Sequence, residues 1–104
     1  TFDDYYNSPG YLKIVERFRK KLPNIVEELS EAVRKEDWND VQVKSHDLKG
    51  IGGAVQLPEI TEVAGRMNVQ VINKQYELVA TTNAELNNLY RKIISKDNQK
   101  PLVH

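Results

Sequence analysis

Between residues 11 and 32, apolar side chains recur in alternating steps of four and three: Tyr11, Val15, Phe18, Leu22, Ile25, Leu29 and Ala32. That rhythm lies close to the helical repeat and lays one apolar stripe along a helix of about six turns. A single helix gains little from such a stripe in water, so other helices have to cover it. The feature commits the chain to a helical bundle. The opposite side carries Glu27, Glu28, Glu31, Arg34 and Lys35, with Glu31 and Lys35 as a favourable i, i+4 pair. Ser8 and Pro9 fit an N-cap followed by proline at the first helical position. Pro23 stands mid-stripe, where a missing amide donor and a crowded preceding turn predict a kink or a restart.

Three more helices follow from similar signals. Asp37 reads as the N-cap of the second, with Trp38, Asn39 and Asp40 in its first turn. Val41, Ser45 and Leu48 face inward along it, and Trp38 packs across the inter-helix turn. Gly52 and Gly53 are expected to end this helix near Val55. Leu57-Pro58 opens the third, whose inner stripe is Ile60, Ala64, Met67 and Val71, with Glu59 and Glu62 at its positive end. Gly65 interrupts it as a place for close helix packing. The stripe changes phase at Asn73-Lys74, which marks a turn. The last helix runs from about Gln75 to Lys96, with Tyr76, Val79, Asn83, Leu86, Tyr90 and Ile93 in its seam and Leu89 beside it. Asn83 in a seam reads as a register or hydrogen-bonding residue. The pattern is that of an all-α protein, an antiparallel up-and-down four-helix bundle. Residues 1–104 form one domain with an ordered core over about 9–96, a possible short extra N-terminal helix, and a fraying tail from Asp97 to the terminal His104.

Composition narrows the function. Lysine plus arginine and aspartate plus glutamate both number 15, so no basic excess is available for nucleic acid. Cysteine is absent, which removes disulfides and thiolate metal sites. No apolar run reaches the roughly eighteen residues of a membrane span, and no signal-peptide pattern opens the chain, so no direct membrane contact is expected. The chain starts at Thr1 and has Met67 as its one methionine, the form of a piece from a longer protein. No glycine-rich phosphate loop follows a strand, and His-Glu-x-x-His is absent. One interior histidine without cysteine does not anchor a zinc site of usual composition, and a serine triad is equally implausible.

The remaining signal is the stretch from Ser45 to Val55, which holds one of two histidines and three of five glycines. His46, Lys49, Gly50 and Gly53 stand at i, i+3, i+4 and i+7, one stripe of a helix. Glycine inside a helix costs about 0.5–1 kcal/mol relative to alanine, so several together need a reason. In one reading the glycines are a helix end and His46 is a solvated surface residue. In the other, the missing side chains clear a landing area beside a nucleophilic imidazole, with an ammonium one turn away for phosphoryl oxygens. The residues alone leave both open.

His46-Asp47-Leu48-Lys49-Gly50, followed by Gly53-Ala54, resembles the His-x-Leu-Lys-Gly signature of histidine-containing phosphotransfer (HPt) domains. The resemblance extends back through Asp37-Trp38 to Phe18 and Pro23 and forward through Leu57. Ser45 departs from a usual alanine, and Gln56 from a third glycine. The resemblance implies a passive phosphoryl carrier of two-component signalling, with no ATP site and no kinase activity of its own. His46 would take the group from a receiver-domain aspartate and give it to the aspartate of another response regulator. Lys49 would stabilise the phosphoryl group, while Gln42, Val43, Gly50 and Gly53 would form the partner surface. No cofactor belongs to the domain itself, because the receiver would bring Mg²⁺. The setting implied is cytoplasmic, as a monomer in isolation and as the C-terminal domain of a hybrid sensor histidine kinase. The alternative is a non-phosphorylated helical binding module on the same scaffold. A dimerising histidine-kinase helix pair shares the acidic residue after the histidine but not the glycines.

Overall fold

The apolar stripe of residues 11–32 becomes the inner side of a single long helix, α1 (Pro9–Arg34), in a computed structural model that describes residues 8–99, with side chains to Lys96. Three helices follow: α2 (Trp38–Ala54), α3 (Pro58–Ile72) and α4 (Tyr76–Gln99). They run up and down, each packed antiparallel on the one before it, and α4 closes back on α1.

The start signals act as the sequence suggests. The Ser8 side chain accepts from the Tyr11 amide at 3.2 Å, with proline at the start of α1. Asp37 accepts from the Asp40 amide at 3.2 Å. Pro23 neither breaks nor restarts α1, which continues through it. Pro23 is exposed, so water can serve the carbonyl that loses its amide partner, while buried Leu22 and Val26 hold the helix on both sides. At the other end, α4 continues past Lys96 to Gln99, since no glycine or proline interrupts 96–99. The short extra N-terminal helix falls on residues before Ser8, which lie outside the described residues, as do positions 100–104.

The three turns share one geometry. The residue after each C-cap is left-handed: Glu36 (φ 55°), Gln56 (φ 59°) and Lys74 (φ 59°). Its amide donates three residues back and the next amide five back: Glu36 to Val33 and Asp37 to Ala32, Gln56 to Gly53 and Leu57 to Gly52, Lys74 to Val71 and Gln75 to Gln70. These are Schellman motifs, which usually place glycine at the left-handed position. The expectation that Gly52 and Gly53 terminate α2 therefore needs correcting. The helix does end at Ala54, but both glycines lie inside it with helical φ, and Gln56 makes the turn.

Leu29, Val41, Leu48, Ile60, Met67, Val79 and Leu86 are fully buried and join all four helices in one core. Polar groups cross between helices in satisfied pairs. Asn87 Nδ2 donates to Ser30 Oγ (2.9 Å), which donates to Asn83 Oδ1 (3.3 Å), so Asn83 is a hydrogen-bonding residue between α4 and α1. Thr82 Oγ1 donates to Gln70 Oε1 at 2.8 Å, joining α4 to α3 in the interior. Trp38 at the start of α2 stacks on Tyr76 at the start of α4, with centroids 4.3 Å apart and planes 5° from parallel. Trp38 thus spans the bundle's diagonal at one end.

Candidate functional site

α2 divides its residues sharply between core and solvent. Val41, Ser45 and Leu48 are fully buried, while Gln42, Val43, His46, Lys49, Gly50 and Gly53 are all exposed. Val43, at 57% exposure, is the most exposed large apolar residue described, so no element of the bundle covers this side. The His46 ring has no hydrogen bond or ion pair to any described residue. Both ring nitrogens are therefore open to an incoming reactant.

The three glycines of α2 do different jobs. A Cβ on Gly50 would meet nothing within 4 Å, and one on Gly53 only Thr61 Oγ1 at 4.0 Å, so these two leave empty space beside His46. A Cβ on Gly52 would stand 2.6 Å from Thr61 Oγ1, 2.9 Å from the Thr61 amide nitrogen and 3.1 Å from Ile60 Cγ2. Gly52 is the close-packing residue, where the start of α3 lies against α2. Thr61 Oγ1 fastens the same place by donating to the Lys49 carbonyl at 3.3 Å.

On the α1 side, His46, Asp47, Gly50 and Ile51 form one wall of a groove whose other wall is Phe18, Lys21, Asn24, Ile25 and Glu28. Phe18, Ile25 and Ile51 give it an apolar floor, and Lys21 Nζ sits 5.9 Å from the Phe18 ring centroid. Half-buried Lys44 ties this wall together, 2.9 Å from Asp40 Oδ1 and 3.9 Å from Glu28 Oε2. The hydrogen bond to Asp40, reinforced by the charges of Asp40, Glu28 and Asp47, holds its ammonium above the ordinary lysine value, against burial.

On the α3 side, Asn68 reaches across to the turn that precedes His46. Its Nδ2 donates to the Gln42 carbonyl at 2.9 Å and to Ser45 Oγ at 3.1 Å. Ser45 Oγ in turn donates to the same carbonyl at 3.1 Å. That carbonyl is the one the His46 amide addresses in an α-helix. The departure at Ser45 thus has a structural partner in Asn68. Sequence reasoning missed Asn68, Gly52 and the α1 wall. The only sequence sign of Asn68 was a short amide residue next to the core stripe of α3.

Among the described residues, no group of three or more histidine, aspartate or glutamate side chains could hold a metal ion. No helix of the described residues is long and apolar enough to cross a membrane. A family model described as Hpt domain matches residues 13–95, which takes in the whole of α2 and α3 and most of α1 and α4. Comparison with curated proteins and with solved structures gave no match.

Proposed function

Because this chain belongs to the Hpt domain family, whose members are phosphotransfer modules of two-component signalling rather than catalytic kinases, we propose that His46 is its phosphoryl carrier. A receiver domain carrying an aspartyl phosphate docks over α2 and the α1 groove. His46, with its proton on Nδ1, attacks the phosphorus in line through the Nε2 lone pair. The N–P bond forms as the acyl P–O bond breaks, and the receiver's carboxylate leaves with that electron pair. The product is an Nε2-phosphorylated imidazolium, and a second receiver's aspartate takes the group by the reverse step. Mg²⁺ and most of the charge stabilisation belong to the receiver's acidic site. Lys49 adds a screened ammonium of about 1 kcal/mol. Gln42 and Val43 extend the docking surface, and the relay takes place in the cytoplasm.

The observation that carries this reading is the open space at Gly50 and Gly53 beside an unpartnered, exposed His46. A surface histidine of no consequence would not need two internal glycines as neighbours. The test uses purified receiver domains charged with radiolabelled acetyl phosphate. The wild-type chain should take label, and His46→Gln, folded by circular dichroism, should take none. Gly53→Leu should stay folded yet take label slowly, since leucine fills the landing area. Label on His46→Gln would place the acceptor elsewhere and end the proposal.

A further inference from the structure

Gly65 lies inside α3, where glycine weakens a helix relative to alanine. It is not a second Gly52. A Cβ at Gly65 would meet no backbone, only the Lys49 side chain: Cδ at 3.6 Å and Cε at 3.7 Å. The Lys49 stem therefore leaves α2, crosses to α3 and lies over the bare backbone of Gly65. Neither residue belongs to the core, so the contact does not serve the bundle's packing. A lysine stem resting on an apolar surface keeps its charged end in water while giving up rotamers.

We propose that Gly65 is a positioning residue for Lys49. It provides a flat bed that holds the lysine stem and so fixes where the ammonium waits beside the His46 stripe. This rests on the reading of His46 as phosphoryl carrier and Lys49 as its counter-charge. Ordering the stem before the phosphoryl group arrives removes that cost from the transfer step. A leucine at 65 fills the bed and frees the stem. A methyl group does not, because 3.6 Å is ordinary van der Waals contact.

The experiment phosphorylates the whole chain with phosphoramidate, which needs no receiver, and follows phosphohistidine decay by phosphorus NMR. Gly65→Ala should keep the wild-type lifetime and melt higher. Gly65→Leu should melt no lower than wild type but shorten the lifetime by about two- to tenfold, the scale of losing one ordered long side chain. In a Lys49→Ala background, Gly65→Leu should change nothing further, because its effect acts through the lysine. An unchanged lifetime in Gly65→Leu, or an equal loss without Lys49, overturns the proposal. A nuclear Overhauser contact between the Gly65 Hα and Lys49 Hε protons should be present in the unphosphorylated chain. If the wild type takes no phosphoryl group, the functional reading fails by itself. The Overhauser contact then decides the bed separately, and its absence rejects it.

Discussion

Alanine substitutions at Gly50 and Gly52 should shift stability in opposite directions, although only Ile51 separates them on one helix. Both gain about 1 kcal/mol from helix propensity, since both have helical φ. At Gly50 nothing opposes the gain, because the new Cβ has no neighbour within 4 Å. At Gly52 the Cβ would stand 2.6 Å from Thr61 Oγ1 and 2.9 Å from the Thr61 amide nitrogen. The hydroxyl could swing aside only by giving up its bond to the Lys49 carbonyl. The amide is backbone, bonded to Leu57 O at 3.2 Å, and can retreat only if the first turn of α3 moves. Overpacking of this kind costs about 1–3 kcal/mol, so Gly52→Ala should be destabilising by about 1 kcal/mol net. For a domain of this size each kcal/mol shifts the melting temperature by about 4–8 °C. Thermal unfolding by circular dichroism should therefore place Gly50→Ala that far above the wild type and Gly52→Ala that far below. Equal melting temperatures for the two variants would refute the reasoning, showing that the start of α3 yields freely and that Gly52 is not needed for close approach.

Lys49→Ala should slow label transfer from a charged receiver by about tenfold or less, with a loss that shrinks as salt is raised; a salt-insensitive loss of several orders of magnitude would contradict a surface interaction. Asn68→Ala removes the donor shared by Ser45 and the Gln42 carbonyl, and should cost about 1 kcal/mol in denaturant unfolding while slowing transfer at His46. Lys74→Gly should stabilise by about 0.5–1 kcal/mol in the same assay, because glycine accepts the left-handed φ of 59° without a Cβ clash. The raised Lys44 ammonium contributes stability that is present at neutral pH, below the usual lysine value of about 10.4, and is lost as pH climbs through its higher folded value. Lys44→Met should accordingly flatten the alkaline limb of a stability–pH profile.

What the sequence makes legible here is whatever repeats along one helix. The seam from Tyr11 to Ala32 locates α1, Asp37 and Pro58 mark the starts of α2 and α3, and the phase change at Asn73-Lys74 marks the last turn. The exposed side of α2 was legible for the same reason, because His46, Lys49, Gly50 and Gly53 follow one helical step. What it hides is contact between helices. Helical step puts Gly52 on the side of Ser45 and Leu48 and Gly53 on that of His46, but it does not show that Thr61 of another helix comes so close to Gly52 that no side chain fits there. Asn68 and the Phe18–Glu28 wall of the groove have the same origin: their roles depend on which helix lies opposite. Pro23 and the three left-handed residues show a further limit. Local preference favours a break at proline and glycine in the turn, each by a few kcal/mol at most, and a core shared by four helices outweighs both.

Those three turns also determine how the bundle can tolerate changes in length. Asp37, Leu57 and Gln75 each complete the end of one helix with their amide and begin the next with their carbonyl, so neighbouring helices share a single joint and no slack lies between them. An inserted residue has no loop to disappear into. It must be taken up as a rotation of about 100° of everything beyond it on that helix. One residue added between Asp37 and Val41 would turn the imidazole of His46 out of its present direction and bring a different set of side chains to the interior. The joints act like gear teeth, keeping four helices in phase, and they make the two chain ends the natural places for growth, fusion or tagging.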